Sequence, residues 1–162
     1  MNLSIIVPSS NRPSLAATLE SISGQMLPGD ELLVDVNDDG DWGNAARNRL
    51  MAKATRDYLM FMDDDDRYEA GAFETVRAVV GLDPQPRVHL FRMRYADGRP
   101  TLWTDMAIRD GNVSTQMVVV PNVFGLPRWE ADVYAADLGF IGSACARLGS
   151  PAWHEDVIAE IG

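Results

Sequence analysis

A chain of 162 residues with 46% hydrophobic composition can bury most of the apolar surface of one globular domain, and it is too short to suggest two. Its 24 acidic against 14 basic residues give a formal charge of −10, which repels phosphate backbones and leaves no basic stripe, so no nucleic-acid partner is expected. Cys145 is the one cysteine and cannot form an internal disulfide; with no Cys/His cluster at zinc spacing, a reducing compartment is the default.

Leu3 to Val7 is a short β-branched run that reads as a central strand closed by Pro8 and Ser9-Ser10-Asn11. It is far too short for a signal h-region or a membrane span and no basic segment precedes it, so a soluble, cytoplasmic protein without a membrane span is expected. Pro13 suits a first helical position, and Leu15, Leu19 and Ile22 recur at helical spacing before Gly24 and Pro28-Gly29 stop the segment. Glu31 to Val36 is a second strand, followed by the polar stretch Asn37-Asp38-Asp39-Gly40-Asp41-Trp42-Gly43. Asn44 to Thr55 has a helix pattern with Ala46, Leu50 and Ala54 along one face. Tyr58 to Met62 is strand three, and Ala70 to Val80 is a further helix that the breaker Asp83-Pro84-Gln85-Pro86 ends. This alternation implies a parallel sheet with right-handed crossovers and helices on its faces.

After Pro86 the pattern changes to short strands at Val88–Arg94, about Thr101–Thr104 and Gln116–Val120, which reads as an antiparallel or mixed addition to the sheet. Leu138, Ile141, Cys145 and Leu148 are spaced for a late helix with Asp137 at its start, whereas Trp153 to Ile161 fits helix or strand. No repeat or linker divides the chain, so a single α/β domain over residues 1–162 is expected.

The chemistry concentrates where Asp63-Asp64-Asp65-Asp66 follows the apolar run Tyr58-Leu59-Met60-Phe61-Met62. Two unit charges ~4 Å apart repel by only about 1 kcal/mol in water, so a solvated turn would tolerate such a run. In open α/β sheets, however, ligands bind beyond the carboxyl ends of the strands, and side chains at i and i+2 leave an extended segment on the same side. Asp63 and Asp65 are thereby candidates to face one cation together.

Several segments now form a recognisable set: Ser4-Ile5-Ile6-Val7-Pro8 with Asn11-Arg12-Pro13, Glu31-Leu32-Leu33-Val34, Ala46-Arg47-Asn48, and Tyr58 through Asp66. In order and spacing the chain resembles the family 2 glycosyltransferases of the GT-A fold, which move a sugar from a nucleotide-sugar to an acceptor. The resemblance implies a Rossmann-like mixed sheet with helices on both faces, residues 1–86 forming the nucleotide-sugar half and 87–162 the acceptor and catalytic half. It implies donor contacts from Pro8, Ser9, Arg12, Asn37, Asp38, Asp63 and Asp64, with Asp63 and Asp65 on a divalent metal and His154 as a further ligand. The carboxyl-terminal half offers the loop containing Gly125 and Trp129 to an acceptor, and Asp137 as the carboxylate that takes the acceptor proton. Ala136 stands where the family usually has Glu, and the longer acceptor-binding extensions that many members carry are not expected.

Hard carboxylate oxygens suit Mg²⁺ or Mn²⁺, and an imidazole ligand would tilt the choice toward Mn²⁺. Arg12 and Arg47 are candidate counter-charges for a diphosphate, since guanidinium matches phosphate oxygens bidentately. Asn37 offers both an acceptor and a donor, so a UDP-sugar is the first expectation and a GDP-sugar a second. Two other classes are weighed. Asp35 to Gly40 satisfies the first half of an EF-hand loop, but its twelfth position would be Ala46 and a strand precedes it. A nucleotidyltransferase would want a Gly-rich basic loop after strand one, and Pro8-Ser9-Ser10-Asn11-Arg12 has no glycine. The acceptor and the oligomeric state are not legible in the residues.

Overall fold

The computed structural model describes residues 1–37 and 39–162. The first half supplies β1 (Leu3–Ser9), α1 (Leu15–Ser23), β2 (Glu31–Val36), α2 (Asn44–Met51), β3 (Tyr58–Phe61), β4 (Arg67–Tyr68) and α3 (Ala72–Val80). The second half supplies β5 (His89–Tyr95), a 3₁₀ turn (Thr115–Met117), β6 (Val118–Pro121), α4 (Ala136–Leu148) and β7 (Ala152–Ile161). The strands join in one seven-stranded sheet of order β2-β1-β3-β6-β5-β7-β4.

Strand direction decides where a site can form. β1 is parallel to β2 and β3, with Ser9 opposite Val36 and Ile6 opposite Phe61. β6 runs antiparallel to both β3 and β5, and β7 is parallel to β5. Reversing twice restores the direction, so β1, β2, β3, β5 and β7 all deliver their carboxyl ends to one edge of the sheet, while β6 exits at the opposite edge. The acids after β3 therefore emerge beside Ser9, Val36, Tyr95 and Ile161.

Alternation along β1 assigns its side chains to two cores, as the period of two in an extended chain requires. Leu3, Ile5 and Val7 join Ile22 of α1 and Phe73, Val76 and Val80 of α3 on one face. Ile6 packs on the other with Leu50 of α2 and Phe140, Ile141 and Ala144 of α4, together with Leu59, Phe61 and Trp129. Every residue of β1 is buried, which is why its centre is a continuous apolar run instead of an alternation, with buried Ser4 and Ser9 hydrogen-bonded to Glu31 and Asp64.

Among the described residues one expected strand is absent, one open alternative resolves, and one short strand is new. The segment near Thr101–Thr104 is not a strand and meets the sheet only through the bridge of Leu102 with Met93. The ambiguous carboxyl-terminal element is a strand, held along β5 from Ala152 to Ile161. The two-residue β4 was not foreseen, because its strand character comes from pairing with Glu160 and Ala159 and not from any local pattern.

Asp30 ties the amino ends of this framework together. Its carboxylate accepts the backbone N–H groups of Leu3 (2.9 Å) and Leu27 (2.7 Å) and pairs with Arg77 of α3. The Asp30 side chain is fully buried, so removing it strands a largely buried guanidinium and two backbone donors. Asp30→Ala is expected to cost about 3 kcal/mol in urea unfolding. Asp97→Ala, which removes an exposed ion pair with Arg99, should leave the urea midpoint nearly unchanged.

Candidate active site

A cleft of about 710 Å³ opens at the edge where the five carboxyl ends meet, within the range that holds small-molecule ligands. Its walls bring together Pro8, Ser9 and Arg12 from the β1 exit, Asn37 from the β2 exit, Arg47 from α2, Asp63, Asp64 and Asp65 from the β3 exit, Trp129, and Asp137 from α4. Asp38 lies outside the described residues. Among the described residues, six carboxyl groups (Asp39, Asp63, Asp64, Asp65, Asp110 and Asp137) and two guanidiniums line this space.

Each of the four adjacent aspartates has its own partners. Asp63 accepts from Arg47 on one oxygen and from Gln116 Nε2 on the other at 3.0 Å. Asp64 is buried and accepts Ser9 Oγ at 2.7 Å and the Ser10 N–H at 3.0 Å, which anchors the β1 loop. Asp65 is exposed and pairs with Arg12. Asp66 is buried and accepts Gln116 Nε2 at 2.5 Å and the Gly162 N–H at 3.0 Å. The amide of Gln116 thus donates one proton to each of two carboxylates, while its carbonyl oxygen accepts from Ser114 Oγ at 3.0 Å. Sequence reading missed Gln116; a buried amide at the head of an apolar run was the only local signal, and its partners lie about fifty positions away.

The two arginines differ in availability. The Arg47 side chain is only 4% exposed and already donates to Trp42 O at 3.0 Å, Asn44 Oδ1 at 3.1 Å and Asp63. It braces the wall of the cleft more than it presents a free cation. Arg12 is half-exposed and sits at the mouth beside Asp65 and Asp64.

Asp137 lies in the first turn of α4, where Leu138 N–H donates to it at 2.8 Å. Burial, with the charge of Asp63 nearby, pushes its carboxyl above the usual range despite the opposing pull of that N–H, Arg47 and Ser114. A raised value suits a proton acceptor working near neutrality.

The structure does not bring His154, Gly125 or an open Trp129 face to the cleft. His154 is near the start of β7, seven residues and so roughly 23 Å along an extended strand from Ile161 at the acid edge. Its ring stacks on Phe91 at 4.5 Å, and its Nε2 lies 3.0 Å from His89 Nδ1. Gly125 follows β6, the strand that exits at the opposite edge, and a Cβ there would meet the Arg147 guanidinium at 2.8 Å. Trp129 is 2% exposed, with Phe140 stacked on it at 4.4 Å and the Arg47 guanidinium over its ring at 4.8 Å, so no face is open to a sugar. An EF-hand is also ruled out, since β2 precedes the loop and Arg49 pairs with both Asp35 and Asp39.

Among the described residues no three His, Cys, Asp or Glu side chains converge on one metal position. The β3 exit is a turn closed by the Asp66 N–H on Asp63 O at 3.3 Å, so the expected extended alignment of Asp63 with Asp65 is not found: both Asp63 oxygens are engaged, and Asp65, at the exposed rim, is the carboxylate within reach of a cation. A single carboxylate serves a hard cation when phosphate oxygens and water complete its shell. The donor set fits Mg²⁺ or Mn²⁺ in the company of a diphosphate, and does not form a self-sufficient cage.

Burial, reinforced by the charges of Asp63 and Asp65, pushes Asp66 up to about 7. The folded chain then holds a proton there that the unfolded chain releases near pH 4, so the contribution of Asp66 to stability falls as pH rises from about 4 to 7 and levels above. In metal-free buffer, the stability of Asp66→Asn relative to the parent is expected to increase across that window, by up to about 4 kcal/mol. Urea titrations at pH 4, 6 and 8 check the slope.

No family model and no curated protein sequence matches this chain. Among solved structures it is similar to S. aureus TarS. The crystal structure of TarS 1–349 matches with a TM-score of 0.78 and 13% identity, covering 99% of this chain and 60% of that one. TarS 1–349 in complex with UDP-GlcNAc gives 0.79 and 15%, covering 99% and 58%, and a longer TarS structure gives 0.79 and 14%, covering 99% and 36%. The chain therefore spans less than two thirds of the length of these structures. Likeness at this identity establishes architecture, and the mixed seven-stranded sheet, with helices on both faces and its cleft at the carboxyl edge, is a GT-A fold shared with TarS.

Proposed function

We propose that this chain is the catalytic core of a metal-assisted glycosyltransferase that moves a sugar from a nucleoside-diphosphate sugar to an acceptor hydroxyl, with inversion. The observation that carries the reading is the placement of two kinds of acid in one cleft: Asp63 to Asp65 at the β3 exit, and Asp137 at the head of α4. That TarS was crystallised with UDP-GlcNAc and with UDP supports a UDP-sugar as the donor.

Cleaving a sugar to diphosphate bond develops negative charge on the leaving oxygens. Among the described residues the cleft carries more carboxyl groups than guanidiniums, which disfavours a diphosphate unless a cation accompanies it. Mg²⁺ or Mn²⁺, when bound, would supply that positive charge, and Asp65 would hold it together with the phosphate oxygens. Arg12, open at the mouth, meets the phosphate oxygens. Arg47 and Gln116 fix Asp63 in place, and Ser9 and Ser10 fix Asp64. Asp137, held above its ordinary pKa by burial, takes the proton of the acceptor hydroxyl as that oxygen attacks from the face opposite the leaving group.

Asp65→Ala is expected to abolish donor turnover and the metal-dependent part of UDP-GlcNAc binding while leaving the unfolding transition in place. Full transfer and hydrolysis by this variant would remove the metal role of the β3 exit. Asp137→Asn should retain donor binding and lose transfer by a factor of about 10² or more, with the acid limb of the parent rate profile lying above the ordinary carboxylate range. Thermal shifts with UDP-GlcNAc, with and without Mn²⁺, check binding directly, since ligand at ~100 Kd stabilises by about 2.7 kcal/mol.

A further inference from the structure

At the mouth of the cleft stand two aromatic rings that the steps above do not use. Trp42 is 56% exposed and Tyr134 is 82% exposed; both line the cleft, and their rings meet edge to face at 5.8 Å and 78°. Two rings at right angles make a corner with open faces. Trp103 and Trp129 are buried and Trp153 is half-buried, so Trp42 departs from the way this chain otherwise treats indoles.

The corner is built and held. Trp42 has a left-handed backbone at φ 57°, a conformation that bulky residues rarely adopt and that persists only where its surroundings impose it. Buried Asp41 imposes it from one side, accepting the N–H groups of Gly43 at 3.1 Å and Ala45 at 2.6 Å. Gly43 imposes it from the other: its φ is 83°, and a Cβ there would come within 2.8 Å of Pro8. Arg47 fixes the Trp42 carbonyl. The loop that carries Tyr134 is stapled to the same helix, because Asn44 Nδ2 donates to Glu130 O and to Val133 O, each at 3.0 Å. Both halves of the corner thus hang on α2.

Position and chemistry select the occupant. Trp42, Tyr134 and Asp137 line the same cleft, and Tyr134 lies three residues before Asp137, which puts the corner and that carboxylate on one ligand space. Aromatic faces attract an apolar C–H surface, and the surrounding carboxylates, Asp39 and Asp110 among them, accept hydrogen bonds from hydroxyls while repelling anions. A pyranose ring joins an apolar C–H face to a rim of hydroxyl donors; an acyclic polyol has the hydroxyls without the face. We infer that Trp42 and Tyr134 form the acceptor platform of this enzyme, and that the acceptor presents a neutral pyranose ring. The inference rests on the transferase reading and names the acceptor class for it.

The indole N–H resonance of Trp42, identified by its loss in Trp42→Phe, reports the corner without any need for turnover. Methyl β-glucoside, methyl β-galactoside and methyl N-acetylglucosaminide, each titrated with UDP and Mn²⁺ present, are expected to shift it for at least one sugar, and sorbitol is not. In transfer assays Trp42→Ala and Tyr134→Ala should raise the KM for that pyranoside by about tenfold, the change that losing roughly 1.4 kcal/mol of stacking produces, with donor KM unchanged. A resonance that moves with UDP alone, that moves equally with sorbitol, or that ignores all three pyranosides overturns the platform. Calorimetry of the parent chain with UDP-GlcNAc is read separately: absence of binding there sinks the transferase reading, whereas binding with an unmoved indole sinks only the acceptor platform.

Discussion

Four carboxylates in succession at the exit of a buried strand are the constraint around which the rest of the site is arranged. At an effective dielectric near 20, two such charges ~4 Å apart repel by about 4 kcal/mol, so burying any of them requires a partner for each. The chain answers with groups drawn from everywhere except the acids' own neighbourhood: Arg12 and Ser9 from the β1 exit, Arg47 from α2, Gln116 from the turn before β6, and the Gly162 amide beyond β7. Long-range closure and site assembly are therefore the same event. The cleft cannot take its shape until β1, α2, β6 and β7 are all in register.

That dependence explains what was legible in the residues and what was not. Elements with a strong local pattern could be read off directly: β1 as a continuous apolar run buried on both faces, and α2 and α3 by the spacing that burial of one helix face dictates. The grouping of the β1, β2 and β3 exits followed from the β-α-β order, since parallel strands end at a common edge. His154 and Gly125 could not be placed in this way. Their positions turn on β6 reversing and β7 running back alongside β5, and nothing local in those strands encodes direction. Trp129 illustrates a different limit: an aromatic near a site looks the same in sequence whether its face is open or sandwiched between Phe140 and Arg47.

Helix α2 emerges as the organising element. Arg47, Asn44 and Asn48 are polar residues on the buried side of a short helix; Asn44 and Asn48 reach across to the connection between β6 and α4, and Arg47 to the loop before α2. Asn48 holds Trp129 by both its N–H and its carbonyl, at 2.9 and 2.8 Å, while Asn44 and Arg47 hold the loops of Tyr134 and Trp42. The Ala46-Arg47-Asn48 triplet thus shapes the cleft mainly through what it holds, with little donor capacity left to touch a ligand itself.

The histidine pair at the far edge of the sheet carries a consequence of its own. Burial, with the neighbouring His154, holds His89 down to about 4, so the folded chain refuses a proton that the unfolded chain takes up near 6.5. Acidification from about pH 6.5 to 4 therefore loosens that edge, over much of the range in which protonating Asp66 tightens the opposite one. The two proton linkages have opposite signs and similar spans, so global stability can stay nearly level across mild acid while local opening migrates from one end of the strands to the other. Amide exchange would register this redistribution where a melting temperature would not.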